Sequence, residues 1–171
     1  MHVGIKLCAW LYFHGFIRED KLTKAFTLSQ VLRDLFGSQR SAVLATAESG
    51  RPYLSLMAFA ASDDLKYLVV VTPKASRKYR NLVTDPRVAL LVDNRTNNPE
   101  DVKQAIAVTV MGVAEECSPA EAEYFLGLYR DRHPHLVEFA NSLENVLIKV
   151  RVDRYYLVSR FQDVREYSPG P

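Results

Sequence analysis

Apolar positions recur along this chain in two periods, and the change from one to the other divides it into elements. Between Thr27 and Gly37, Leu28, Val31, Leu32, Leu35 and Phe36 fall at helical spacing. Thr27 with Gln30 has the form of a capping box, so the pattern predicts an amphipathic helix from Thr27 to Gly37. Beyond it the spacing becomes strand-like. Residues 42–47 and 53–59 read as a hairpin across Glu48-Ser49-Gly50-Arg51-Pro52, where Gly supplies positive φ and Pro ends the ladder. Residues 66–71, 88–92 and 105–115 continue as strands, with 94–101 as a polar loop. Ser118-Pro119-Ala120-Glu121 combines a cap, a proline at the first helical position and an acid at the third, and opens a helix to about Arg132. His133-Pro134-His135 breaks that helix before a second, short one around 136–140. Val146, Ile148, Val150 and Val152 then alternate with Leu147, Lys149, Arg151 and Asp153 as a strand with one buried face, and 155–161 returns as its neighbour.

Strands outnumber helices and mostly follow one another through short turns. The expected fold is therefore mainly β with helices (α+β), an antiparallel sheet or small barrel flanked by short helices rather than a doubly wound parallel sheet. Three segments follow: an N-terminal extension over 1–26, a single domain over 27–165 and a C-terminal tail over 166–171.

Composition narrows the function. With 171 residues, 48% hydrophobic and 25% charged, the chain is ordinary globular material with enough length for one core. A net charge of +2 argues against sequence-independent nucleic-acid binding, which rests on many phosphate contacts, so any anion site must be local. Cys8 and Cys117 have no neighbour of metal-binding or disulfide spacing and read as packing residues in a reducing, cytoplasmic setting. The apolar run at 7–17 is broken by polar residues before it reaches spanning length, so no membrane segment is expected; docking on the core or on a partner subunit is. The glycosylation pattern Asn94-Arg95-Thr96 has meaning only in a secreted protein and is read as chance.

The chemistry concentrates in Thr72-Pro73-Lys74-Ala75-Ser76-Arg77-Lys78-Tyr79-Arg80-Asn81-Leu82, where hydroxyls and four cations lie between two buried-strand patterns. Ser76 is placed to cap a helix over roughly 77–83. Free N–H groups, the positive end of the helix dipole, Arg77 and Lys78 would then converge on one spot suited to a phosphate. The competing reading is a short helix with ordinary solvated cations. No nucleophile elbow, Walker loop, dinucleotide fingerprint or zinc-protease helix occurs. His133 and His135 straddle a proline and lack the spacing of a helical metal pair, so no metal is expected. Asp63-Asp64 and Glu115-Glu116 are adjacent residues whose side chains point apart, which suits turns and strands better than acid–base pairs. An anion site with few proton-transfer groups suits a protein whose cofactor carries the chemistry, and no catalytic residue stands out.

Ala45-Thr46-Ala47, Gly50-Arg51-Pro52-Tyr53, Thr72 with Ser76-Arg77-Lys78, Asn81-Leu82, Asp85-Pro86-Arg87-Val88 and Met111-Gly112-Val113-Ala114-Glu115 follow in one order over roughly 27–161. In that ordered set the chain resembles the pyridoxamine 5′-phosphate oxidase-like family, the FMN-binding split β-barrels. The resemblance implies an antiparallel split barrel of FMN-binding type, with Thr72, Ser76, Arg77 and Lys78 holding the FMN phosphate. Asn94 and Arg95, just after a core strand, are the candidates for the ring or ribityl chain, against a solvated-loop reading. It further implies a homodimer with FMN at the subunit interface and an oxidoreductase passing electrons between small-molecule donors and acceptors. Two departures stand out: Ser55 and Ala60 fall where better-studied oxidases of the family place an Arg and a Lys that contribute to FMN binding, so one phosphate partner is lost, and the Arg/His segment beyond the barrel that binds substrate in the vitamin-oxidising members is not seen. Oxidation of pyridoxamine phosphate is therefore not expected. Tyr129-Arg130-Asp131-Arg132-His133-Pro134, followed by 146–161, resembles the haem-utilisation and stress-related branch of the same superfamily. That makes a haem-binding or haem-degrading protein one alternative, with His133 as the substitute iron ligand. A cofactor-free binding module is the other.

Overall fold

The computed structural model describes residues 19–159 and 163–170, with side chains from residue 28 onward. Helix α1 (Glu19–Ser38) leads into the hairpin of β1 (Ser41–Glu48) and β2 (Arg51–Ala61). Strand β3 (Tyr67–Pro73), helix α2 (Arg77–Thr84), strand β4 (Arg87–Asp93), the single turn α3 (Asp101–Gln104) and strand β5 (Ala107–Glu116) follow. Helix α4 (Pro119–Arg132), a 3-10 turn (Pro134–Leu136) and α5 (Val137–Asn141) precede β6 (Asn145–Ser159) and β7 (Asp163–Tyr167).

Six strands close in the order β3-β2-β1-β4-β5-β6, with β6 pairing back onto β3, and every pairing is antiparallel. The edge of β6 away from β5 is shared, since its first half pairs with β3 and its second half with β7. The expected α+β antiparallel barrel is therefore what forms. Its interior is filled by Leu44, Phe59, Val70, Leu90, Val110 and Leu157, and α1 closes one side with Leu32 and Phe36. Phe36 meets Phe59 edge-on at 5.7 Å and lies 5.8 Å from Tyr155, whose hydroxyl donates to the Leu65 carbonyl at 2.6 Å. The guanidinium of Arg132 donates to the carbonyls of Phe36 and Gln39 at 2.7 and 2.6 Å, satisfying acceptors that the end of α1 leaves open.

The barrel is incomplete along one seam. β2 and β3 pair only at Phe59↔Val70, Ala60↔Val69 and Ala61↔Leu68. Before that, β2 pairs with β1 alone, while the last residues of β3 pair with β6 alone. The two strands splay and leave unpaired backbone edges on either side of a gap.

Several predicted boundaries move. The backbone of α1 is helical from Glu19, so Thr27 lies inside the helix instead of capping it. In the hairpin, Ser49 and Gly50 alone make the turn, with φ of 51° and 78°. That is the double-positive geometry of a tight two-residue connection. Pro52 does not end the ladder; it pairs with Ala47 inside β2, where β2 has a neighbour on one side only and a missing N–H is tolerated. The predicted strand pair at 146–153 and 155–161 is one continuous strand, β6, and the strand that returns beside it is β7. The break in alternation is a bulge: Met111 pairs with Arg154 and Gly112 with Val152, so Asp153 is an extra residue that reverses the phase. Gly112 is required there, because a Cβ would sit 2.4 Å from the Arg151 carbonyl oxygen. The apolar run at 7–17 lies outside the described residues. No described helix is long and apolar enough to cross a membrane.

Candidate functional site

Helix α2 sits where the barrel seam opens. Ser76 caps it as its sequence predicts, its Oγ accepting from the Tyr79 N–H at 3.2 Å. On its inner side Asn81 is buried and donates through Nδ2 to Thr46 Oγ1 at 3.0 Å, which ties the helix to β1. The N–H groups of Arg77 and Lys78 have no acceptor among the described residues, as expected for the first turn of a helix. They face outward with the positive end of the dipole.

The seam itself is a cleft of about 280 Å³. Leu56, Met57 and Ala58 of β2 line one side and Val71, Thr72 and Pro73 of β3 the other. Tyr129 of α4, Leu136 of the 3-10 turn and Phe139 of α5 complete the wall, and Lys78 reaches in from α2. The lining is apolar except for a few hydroxyls and one cation. Lys78 is half-buried and makes no hydrogen bond or ion pair with any described residue. A half-buried ammonium without a partner is a standing invitation to an anion.

The six residues expected from sequence do not all converge here. Ser76 and Lys78 do. Thr72 lines the cleft but is 0% exposed, and its hydroxyl lies 3.0 Å from Ser76 Oγ, so it orients Ser76 from behind. Arg77 turns away from the cleft, pairing with Glu48 at 2.7 Å and lying over the Tyr53 ring at 4.6 Å. Asn94 and Arg95 follow the far end of β4, roughly 20 Å along the strand from the α2 end at about 3.4 Å per residue. Asn94 is stitched to Ile106, accepting its N–H through Oδ1 at 2.7 Å, and Arg95 pairs with Asp93 at 3.1 Å. Tyr129, buried on α4, and Phe139, partly exposed on α5, are lining residues that sequence reasoning misses, because an aromatic letter on a helix carries no mark distinguishing wall from core.

Other chemical groups are consumed structurally. His133 is 1% exposed and its Nε2 donates to the Phe59 carbonyl at 2.8 Å. Burial holds its pKa below the usual imidazole value, with Arg132, His135 and Arg40 adding in the same direction. With that nitrogen engaged and the ring sealed, His133 is a poor substitute for an iron ligand. Asp64 accepts from Ser62 and the Lys66 N–H in a turn, while Glu115 pairs with Lys149 and Glu116 with Tyr79, so neither acid pair converges. Burial pushes the Cys117 thiol up to about 11, which leaves it unreactive at neutral pH. Among the described residues no group of three or more metal-ligating side chains assembles.

A closed antiparallel barrel with one split seam, a capped helix at the split and a matching order of motifs decide the family. The sequence pattern described as pyridoxamine 5′-phosphate oxidase matches residues 28–159. The chain belongs to that family of split barrels. Solved structures share the fold at low identity. A haem binding protein from Mycobacterium smegmatis is 19% identical with a TM-score of 0.74, the match covering 82% of this chain and 57% of that one. HutZ, described as the haem storage protein of Vibrio cholerae, is 17% identical at a TM-score of 0.64, covering 77% and 93% of the two chains. A FAD-binding protein from Mesorhizobium loti is 18% identical at 0.61, covering 75% and 90%. No curated protein matches the chain in sequence. Within the family, Ser55 pairs with Leu44 in the barrel, and Ala60 is buried where β2 passes beneath α4.

Proposed function

We propose that this split-barrel protein binds FMN in the seam between β2 and β3 and works as a homodimeric flavin oxidoreductase on small-molecule donors and acceptors. The observation that carries this reading is the unpartnered Lys78 at the first turn of α2, set in an otherwise apolar cleft. The residues fit the cofactor: Ser76, Lys78 and the free N–H groups of α2 suit a phosphate, and Ala58, Val71 and Leu56 make low walls for a flat ring. When bound, the flavin supplies hydride transfer, and the protein supplies orientation and exclusion of water.

Dimerisation has its own support. The cleft, at about 280 Å³, falls just below the roughly 300–1,000 Å³ of small-molecule sites, so FMN would need a further wall. The outer barrel face carries a cross-strand row of Leu54, Ala45, Ala89 and Met111, and beside it Leu56, Val43 and Leu91. Leu54 is 63% and Leu56 75% exposed. A contiguous apolar face of this kind marks an interface. Asn94 and Arg95 join the flavin site only if the second copy brings them there.

The test is the visible spectrum after incubation with FMN and desalting, with a haemin sample in parallel and sedimentation of both. A retained two-band flavin spectrum on a dimer is expected. A Soret band without retained flavin favours a haem protein, and retention of neither ligand favours a binding module.

A further inference from the structure

Tyr129 is 1% exposed, yet its hydroxyl makes no hydrogen bond with any described residue. The contrast is Tyr155, equally buried, whose hydroxyl donates to a carbonyl at 2.6 Å. Among the described residues no fully sealed side-chain nitrogen or oxygen lacks a partner. The Tyr129 hydroxyl is therefore not sealed, and the residue that carries it lines the seam cleft. The rest of the side chain is held. Its ring packs 4.9 Å from that of His133, and His133 is pinned to the Phe59 carbonyl of β2. A donor held rigidly at the wall of a cleft costs little ordering entropy when a ligand arrives. Burial raises the phenol pKa, so the group stays protonated across the physiological range.

We infer that Tyr129 is a positioning residue for the ring of the bound cofactor, its hydroxyl hydrogen-bonding a ring nitrogen or carbonyl oxygen while Lys78 takes the phosphate. The inference rests on the flavin reading and deepens it. The cleft presents two unpartnered polar groups of different kinds, one cationic and one neutral, with apolar walls around them. Ligands that match are flat heteroaromatic rings joined to a phosphate. A purely aromatic ring would leave the hydroxyl without a partner and lose the discrimination such a group provides.

Tyr129→Phe removes the hydroxyl and keeps the ring. Binding of FMN and of lumiflavin, the ring without ribityl or phosphate, is followed by quenching of flavin fluorescence. Both affinities are expected to fall by the same factor, roughly 2- to 10-fold, the span of one net hydrogen bond. The visible band of the retained flavin is expected to shift, and the melting temperature of the ligand-free protein to stay the same or rise. Unchanged affinities and an unchanged band with wild-type FMN binding intact would overturn the inference alone. A loss confined to FMN would also overturn it, by moving the contact to the phosphate or ribityl chain. Failure of the wild-type protein to bind flavin would overturn the flavin reading and this inference together.

Discussion

Lys78→Met and Arg77→Ala separate two cations that sequence places side by side. Lys78 lines the cleft half-buried and without a partner, so a bound phosphate gains its charge at no cost in broken contacts. A charge-assisted hydrogen bond in such a setting contributes about 1.5–3 kcal/mol. At about 1.4 kcal/mol per decade this makes Lys78→Met weaken FMN binding roughly 10- to 100-fold. Arg77 already has Glu48 at 2.7 Å, and both side chains are half exposed. Reaching a phosphate means exchanging that pair for another at the same exposed position, and exposed pairs contribute about 0–1 kcal/mol, so the two terms nearly offset. Arg77→Ala is therefore expected to weaken FMN by less than about 5-fold, and the double variant to resemble Lys78→Met. The assay is fluorescence titration with FMN and riboflavin at fixed ionic strength, since an exposed contribution is screened by salt. Riboflavin has no phosphate, and its affinity should hardly change in either variant. An Arg77→Ala loss as large as that of Lys78→Met, or a parallel loss for riboflavin, would refute the assignment of the phosphate to Lys78.

Gly112→Ala drives a methyl group to 2.4 Å from the Arg151 carbonyl oxygen at the β5–β6 bulge, where only backbone can yield. A loss of about 3 kcal/mol, the upper end of the overpacking range, should appear as a lower urea midpoint with an unchanged slope. Leu54→Glu with Leu56→Glu places charges on the most exposed part of the outer face and should give a monomer in sedimentation that no longer retains flavin; a dimer that persists removes that face as the interface. The folded-state pKa of His133 lies below its ordinary 6.5, so the unfolded chain takes up its proton at higher pH than the fold does. Stability should accordingly fall as pH drops below about 6.5, with no contribution above it. His133→Gln, which keeps a donor toward the Phe59 carbonyl, should flatten that fall, and an unaltered profile would exclude His133 as its source.

How far the sequence could be read follows from which features are local. The cap at Ser76, the start of α4 and the existence of a hairpin turn with positive φ at Gly50 each depend on a few adjacent residues and are legible, though the turn is shorter than its five-residue signal. The closure of β6 on β3 joins segments about 80 residues apart and has no local signature. The bulge at Asp153 misleads for a physical reason: an extra residue reverses the alternation just as a turn would, so a single 15-residue strand looks like two. At the site the limit is sharper. Neighbours on a helix project about 100° apart, so Arg77 and Lys78 leave α2 in different directions, and Arg77 pairs with Glu48 while Lys78 lines the cleft. Thr72 is fully buried because β alternation turns it into the barrel with Leu68 and Val70, and its hydroxyl lies 3.0 Å from Ser76 Oγ. Tyr129 and Tyr155 are indistinguishable as letters; one hydroxyl has a carbonyl 2.6 Å away and the other has none. A polar residue becomes a binding group through what the fold withholds from it, and that is a property of its surroundings. Lys78 and Tyr129 both line the seam cleft, and neither the Lys78 ammonium nor the Tyr129 hydroxyl has a partner among the described residues, so the paired Lys78→Met and Tyr129→Phe titrations decide whether one ligand engages both.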